Sequence, residues 1–199
     1  GWDTYRLPLN VGHIRGQEYI RHLADTTWVL FVADDVRLHP GCLAALWRAA
    51  QIAPDAYQLQ PVCVQTNGCI DQAGMDWVWP GFSHNRTQWP SRWLTRVPVV
   101  PGTCYLVRND FSPTSHLGLE GSHEDVDLAL TMQSWGRYVV RDAVCTHLVN
   151  QTLRRTQPHP SPIFRRDRRR VLQAHYRGWD LRTRLVAVTL MEWGADRMR

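Results

Sequence analysis

The feature that most constrains this chain is a short apolar run that ends in two adjacent carboxylates. Residues 28–33 are all apolar, and Asp34 and Asp35 follow directly. A continuous apolar run of this length is typical of a strand covered on both faces of a parallel sheet. Two neighbouring carboxylates at its end need compensation, which a divalent cation or the N-terminus of a following helix can supply. The run therefore predicts a buried strand that delivers Asp34 and Asp35 to a cation site or to a helix cap.

Helical and strand patterns alternate along the rest of the chain. They predict helices over residues 16–27, 39–52, 124–135, 164–176 and 181–198, and strands over 57–65, 97–100, 103–107, 138–141 and 143–147. Such alternation predicts an α/β fold with a mostly parallel sheet, in which ligands bind at the carboxyl ends of the strands. The Pro-rich stretch 157–162 divides the chain into a main domain over 1–156 and a helical extension over 157–199.

Composition limits the class of protein. The chain has 199 residues, 44% of them hydrophobic, which allows one domain with a sizeable core. No apolar run reaches the roughly 18 residues of a membrane span, and the first residues lack the pattern of a signal peptide. The five cysteines are odd in number and form no C-x-x-C pair, so we expect mostly buried, reduced thiols. These features predict a cytoplasmic protein, with peripheral attachment at the inner membrane face as a further option.

The basic side chains are all arginines, and they give the chain a formal net charge of +5. Arginine pairs with phosphate through two parallel hydrogen bonds, so this charge fits a diphosphate, an anionic lipid or a nucleic acid. A compositional habit of the source genome is the simpler explanation. The densest basic segment, 165–170, equally fits a solvated helix face.

Two later features could contribute to a catalytic site. Glu124 and Asp125 open a predicted helix, where one carboxylate could act as a general base, although acidic first turns also serve the helix dipole. His147 ends a predicted strand, where it could add a metal ligand or simply pack.

The segment 79–96 contains prolines and tryptophans and predicts a long functional loop. The flat faces of Trp79, Trp89 and Trp93 suit stacking on sugar rings on the acceptor side. The alternative is a packing loop whose tryptophans are buried.

Six short motifs occur in an order that resembles one enzyme family. They lie at residues 6–12, 29–35, 39–43, 67–74, 100–108 and 124–128, and a predicted strand ending in His147 follows them. Each motif is weak alone, but the ordered set covers about residues 5 to 150. The chain resembles the family 2 glycosyltransferases, particularly the bacterial rhamnosyltransferase-like members.

The resemblance implies a GT-A fold, a nucleotide-diphosphate sugar donor, a divalent cation (Mn²⁺ or Mg²⁺) and usually inversion at the anomeric carbon. Carried over by position, it makes Asp125 the base, with Glu124 as the second candidate. It makes Asp35, Asp34 and His147 the residues that contact the metal or the donor.

The resemblance further implies donor or acceptor contacts at Asn10, Gly12, Arg15, Gly102 and Thr103. The chain departs from the family in two ways. Ala33 stands where members often carry Asp or Asn, and the chain begins after the strands that normally hold the nucleoside.

Three hypotheses follow for the function. The first is a glycosyltransferase with a carbohydrate or lipid-linked acceptor. The second is a non-catalytic GT-A remnant that binds a glycan or a partner through its tryptophans. The third is a glycosyltransferase that acts on modified DNA bases, for which the basic segment and the aromatic loop would form the nucleic-acid surface.

Overall fold

The computed structural model describes residues 6, 9, 11, 13–110, 117–119, 123–148 and 162–197. The helices there are α1 (His13–Leu23), α2 (Cys42–Ile52), α3 (Glu124–Thr131), α4 (Pro162–His175) and α5 (Gly178–Arg197). The strands are β1 (Trp28–Val32), β2 (Val36–Leu38), β3 (Ala56–Val64), β4 (Ile70–Gln72), β5 (Met75–Val78), β6 (Phe82–Asn85), β7 (Leu94–Arg96), β8 (Cys104–Arg108) and β9 (Gly136–His147).

The main sheet has the strand order β1-β8-β3-β9-β2, and in addition β4 pairs with the end of β3 and β7 pairs with the first half of β9. Only β3 and β9 pair in parallel in the described part of the chain, so the expectation of a mostly parallel sheet is wrong. β8 lies between β1 and β3 and runs against both, which leaves β1, β3 and β9 pointing the same way. Their carboxyl ends therefore still meet at one edge, as the sequence predicts for a ligand site.

The strand that is buried on both faces is β3 and not β1. All nine residues of β3 are buried, because β8 and β4 flank it on one side, β9 flanks it on the other, and apolar clusters cover both faces. In β1 only Val29 is buried, and Val32 is 41% exposed, because β8 is its one partner in the described residues.

Long-range pairing also changed several predicted boundaries. The two short strands predicted over 138–147 are one strand, β9, whose pairing with β3 shifts between Val140 and Val144. The bulge contains Asp142, where the predicted break between the two strands falls. The predicted long loop 79–96 contains β6 and β7. Its weak alternation of apolar and polar residues does not predict them, and they form because β6 pairs with β5 and β7 pairs with β9. The hairpin predicted at Asn67-Gly68 is confirmed by the antiparallel pairing of β3 with β4.

Helix α4 packs on α3, on the β5–β6 hairpin and on α5. Val171 of α4 shares an apolar cluster with Val126 of α3 and Met75 of β5. Polar contacts join the same elements, because the His175 ring lies 2.6 Å from Asp127 and the Trp77 indole donates to the Tyr176 hydroxyl at 3.0 Å. None of the described helices is long and apolar enough to cross a membrane.

The cysteines are as the sequence predicts. None forms a disulfide; four are buried and Cys69 is exposed. Cys63, Cys104 and Cys145 cluster in the core behind the carboxyl ends of the central strands.

Candidate functional site

His147 stands between two carboxylates at the carboxyl end of β9. Its Nε2 atom lies 3.3 Å from Asp35 Oδ2, and its Nδ1 atom lies 2.7 Å from Asp71 Oδ2. The backbone fixes this arrangement, because β2 pairs with the end of β9 and the Leu148 amide donates to the Asp35 carbonyl at 2.8 Å. The three side chains are only 13% to 21% exposed, so the cluster is partly shielded from water.

The two carboxylates raise the pKa of His147, the hydrogen bond with Asp71 most of all and the charge of Asp35 next, while burial opposes them. An ionised Asp71 can only accept, so Nδ1 carries the proton and donates. A neutral ring then turns its Nε2 lone pair toward Asp35. Two lone pairs at 3.3 Å repel each other unless a proton or a metal ion lies between them.

A divalent cation fits this pair geometrically. Adjacent ligands of an octahedral ion with bonds of about 2.1 Å stand roughly 3.0 Å apart, close to the separation of Nε2 and Oδ2. Within the described ranges no group of three or more His, Cys, Asp and Glu side chains could hold a metal ion. Asp71 contacts the other ring nitrogen of His147 and is therefore not placed as a third ligand. Asp34 is exposed in the same turn as Asp35. An ion here would take its remaining ligands from a diphosphate and water, as Mg²⁺ commonly does.

Asp125 sits at the start of α3 with a carboxyl group that resists ionisation. Burial and the neighbouring charge of Glu124 raise its pKa to about 8, against the backbone amides that stabilise the anion. The Val126 amide donates to Oδ1 at 2.8 Å, and the Gly102 backbone contributes a second hydrogen bond. A group with a pKa near the working pH is suited to proton transfer.

Residues 102–103 connect the two acidic sites. The Ala33 amide, one residue before Asp34, donates to the Thr103 carbonyl at 2.9 Å. Gly102 bonds the Asp125 carboxylate. The turn that carries Asp34 and Asp35 and the start of α3 therefore border the same two-residue segment.

His123 precedes α3 and holds its start in place. It adopts a left-handed backbone conformation with φ of 65° and is buried. Burial first, and then the charge of Arg168, lower its pKa to about 4, so it is neutral at physiological pH. Its ring stacks edge-on against Trp77 at 6.1 Å and Phe164 at 6.3 Å. The Glu124–Asp125 turn is thus anchored by aromatic packing from β5 and α4.

The predicted tryptophans fall in different places. Trp79 and Trp89 are exposed, at 58% and 44%, and are available for stacking. Trp93 is partly buried, packs with the α2 cluster and lies under the Arg48 guanidinium at 4.8 Å. Its carbonyl accepts a hydrogen bond from the Arg141 amide of β9.

The other predicted binding residues are only partly placed by the structure. Arg15 is exposed on α1, and Gly102 and Thr103 are partly exposed. Asn10 and Gly12 lie outside the described residues.

Sequence reasoning missed Asp71. It follows the Asn67-Gly68 turn in one of the recognised motifs, but nothing in the motif assigns it a role. It meets His147 because β4 folds back on β3 while β9 pairs with the opposite side of β3. A carboxylate just after a hairpin turn that closes a central strand is the one signal that could have found it.

Comparison with known structures identifies the fold. The chain superimposes on the crystal structure of GalNAc-T7 with UDP, GalNAc and Mn²⁺, with a TM-score of 0.62 and 13% sequence identity. The match covers 84% of this chain and 35% of GalNAc-T7, so the chain spans about a third of that protein. No protein-family model matches the chain, and no curated protein sequence matches it either. The architecture is the GT-A fold that the motifs predict, a mixed α/β sheet flanked by helices with further helices at the C-terminal side.

Proposed function

We propose that this chain transfers a sugar from a nucleotide-diphosphate sugar to an acceptor hydroxyl, with a divalent cation at Asp35 and His147. The observation that carries the proposal is the arrangement of two sites around one backbone segment. A carboxylate and an imidazole nitrogen lie 3.3 Å apart, and a carboxyl group with a pKa of about 8 borders the same segment, 102–103. The structure of GalNAc-T7 contains UDP and Mn²⁺, which fits a donor of this kind.

The cation would be held by Asp35 Oδ2 and His147 Nε2, with Asp34 toward the metal or the donor. When bound, it would neutralise the diphosphate leaving group. Asp71 keeps the proton on His147 Nδ1 and so leaves Nε2 free to bind the ion. An imidazole ligand suits Mn²⁺ better than Mg²⁺, which prefers oxygen ligands.

Asp125 is the proposed base. Its carboxylate takes the proton of the acceptor hydroxyl while that oxygen forms a bond to the anomeric carbon. The bond from the anomeric carbon to the diphosphate oxygen breaks on the opposite face, which inverts the configuration. Glu124 lies beside Asp125 and raises its pKa, which makes the anion a stronger base.

The finer assignments remain part of this proposal. They are membership of family 2, a cytoplasmic location with peripheral attachment at the inner membrane face, and division of the chain at residue 157. Donor or acceptor contacts are proposed at Asn10, Gly12, Arg15, Gly102, Thr103, Trp79, Trp89 and Trp93.

The deciding experiment measures release of the nucleotide from UDP- and GDP-sugars with Mn²⁺, first alone and then with candidate acceptors. We expect hydrolysis by the wild type and a loss of roughly 10²-fold or more in Asp125→Asn, with donor binding retained. Donor binding without turnover by the wild type would favour a binding remnant. A salt-dependent affinity for DNA exceeding that for the sugar donors would favour the nucleic-acid hypothesis.

A further inference from the structure

Helix α5 has two apolar faces, and the described residues cover only one of them. On the covered face, Val188 and Glu192 are buried, and Glu192 pairs with Arg168 of α4 at 2.8 Å. The other face carries an outer stripe of four apolar side chains: Trp179, Val186, Leu190 and Trp193. They are spaced 7, 4 and 3 residues apart, so they lie on one side of the helix. All four are 54% to 78% exposed, and a contiguous apolar stripe of this kind marks an interaction surface.

The outer stripe has a tryptophan at each end and aliphatic side chains between them. Trp179 and Trp193 are 14 residues apart, or about 21 Å along the helix axis. An indole combines an apolar ring with a polar N–H group, which suits the boundary between lipid headgroups and acyl chains. Val186 and Leu190 have no polar group to place in water, so they favour the acyl chains. The stripe therefore fits a helix that lies in the plane of a membrane surface.

The part of the chain that carries the stripe also carries its excess positive charge. Residues 162–199 contain ten arginines and four carboxylates, a formal charge of +6, whereas residues 1–161 contain 13 arginines and 14 carboxylates, a formal charge of −1. Ion pairs within α4 and α5 do not alter this balance, because both partners are counted. Arg182 is exposed beside the stripe and lies over the Trp179 ring at 5.9 Å. This charge complements the phosphates of anionic lipids.

The combination of charge and aliphatic surface selects one occupant. A second copy of the chain would bring two regions of charge +6 together, and these repel each other. A nucleic acid would attract the arginines, but its sugar-phosphate backbone would place polar groups against Val186 and Leu190. An anionic bilayer offers phosphates to the arginines and acyl chains to the aliphatic residues.

From these observations we infer that α5 lies in the headgroup region of an anionic lipid bilayer, with the outer stripe inserted toward the acyl chains. The inference rests on the peripheral attachment included in the proposed function, and it gives that attachment a surface. Sugar transfer is not required for it, so vesicle binding is measured without donor or metal.

The first measurement is co-sedimentation of the full chain with vesicles at low and at high salt. Vesicles that contain phosphatidylglycerol are compared with vesicles of phosphatidylcholine alone. We expect the wild type to bind the anionic vesicles at low salt, at least about tenfold more tightly than the neutral ones. High salt should weaken this binding, because it screens the exposed arginines.

The second measurement tests the apolar contribution. The test variant is Val186→Ser/Leu190→Ser, and the matched control is Leu43→Ser/Ile52→Ser, two residues of similar exposure on α2. We expect the partition coefficient on anionic vesicles to fall at least about tenfold in the test variant and less than about twofold in the control. All four positions are exposed, so both variants should fold, and thermal melts check this.

The third measurement tests the charge beside the stripe. Arg182→Gln should weaken binding to anionic vesicles by about fivefold, because one arginine at the surface is lost. Arg141→Gln is the control, since Arg141 is exposed on β9 and the change in charge is the same. We expect less than about a twofold effect from it.

Absence of wild-type binding to anionic vesicles at low salt, or equal losses in the test and control variants, would overturn the inference. Binding to DNA without binding to vesicles would assign the surface to nucleic acid instead. A wild-type dimer that Val186→Ser/Leu190→Ser dissociates, again without vesicle binding, would assign it to a second copy. Nucleotide-sugar hydrolysis is followed separately: if it is absent while vesicle binding responds to the variants as expected, the proposed transfer fails and the membrane surface stands.

Discussion

Asp71 and His147 form a 2.7 Å hydrogen bond that turns the opposite ring nitrogen toward Asp35. Neither residue is near the other in sequence, since 76 positions separate them. The bond selects the protonated nitrogen, and the pKa of His147 is raised as a result. The metal chemistry proposed for this site depends on that selection.

His147→Ala should weaken Mn²⁺ binding by about 100-fold or more, because it removes one of the two protein ligands. The measurement is Mn²⁺ affinity at pH 7.5 by electron paramagnetic resonance. His84→Ala is the matched control, because His84 is exposed on β6. Equal affinities in the wild type and His147→Ala would rule out ligation.

Asp71 should act through His147. We expect Asp71→Ala to weaken Mn²⁺ binding by roughly 10- to 100-fold, as is typical when the partner of a metal-bound histidine is lost. Asp71→Asn should fall between the wild type and Asp71→Ala, because its amide oxygen still accepts from Nδ1. Titration of the three proteins with Mn²⁺ gives the order. An Asp71→Ala affinity equal to the wild type would show that Asp71 only packs.

Mn²⁺ affinity should fall as the pH is lowered, because a proton on Nε2 competes with the metal. The raised pKa of His147 places the start of this loss above pH 6.5. The folding stability of the metal-free protein depends on pH in the opposite direction. Protonation of His147 stabilises the fold fully below about pH 6.5, and this stability is lost as the pH rises through the raised pKa. Mn²⁺ titrations and melting temperatures from pH 5.5 to 8.5 test both directions. Affinity that stays constant over this range would contradict the assignment of Nε2.

Asp125→Asn should lose activity and gain stability. The wild-type pKa of about 8 lies above the value of an unfolded aspartate, so ionising Asp125 destabilises the fold between about pH 4 and 8. The asparagine carries no charge, and we expect its melting temperature to exceed that of the wild type at pH 8.5 but not at pH 4. Wild-type activity should rise toward pH 8 as the base ionises. A lower melting temperature for Asp125→Asn at pH 8.5 would contradict the raised pKa.

Gly74→Ala should strongly destabilise the protein. Gly74 has φ of 87°, and a Cβ atom there would stand 2.5 Å from Val97 Cγ1. Strain and overpacking together predict a loss of about 2 to 4 kcal/mol, or roughly 5–10 °C in Tm. Gly68→Ala is the control, with φ of 82° and no neighbour within 4 Å. Gly68→Ala should lower the free energy of unfolding by about 1 kcal/mol, from backbone strain alone. Equal losses for Gly68→Ala and Gly74→Ala in thermal melts would show that repacking relieves the Val97 contact.

Local patterns in the sequence were enough to locate several strands and helices and the turns between them. Apolar runs located β1 and β3, the Asn67-Gly68 turn placed β4 against β3, and the acidic first turn located the start of α3. The ordered motifs also gave the GT-A fold and brought Asp35, His147 and Asp125 forward as candidates. Strands, turns and helix starts can be predicted in this way because turn type and hydrophobic periodicity depend on residues that are neighbours in the sequence.

Which distant residues meet depends on the three-dimensional fold. Insertion of β8 between β1 and β3 made the sheet mixed and put β1 at the edge of the sheet that the described residues form, and no local pattern encodes that order. Packing against α2 partly buries Trp93 and leaves Trp79 and Trp89 exposed. Pairing on opposite sides of β3 brought Asp71 to His147. Each outcome depends on contacts between strands far apart in the chain, where burial and backbone pairing outweigh the preference of any single residue.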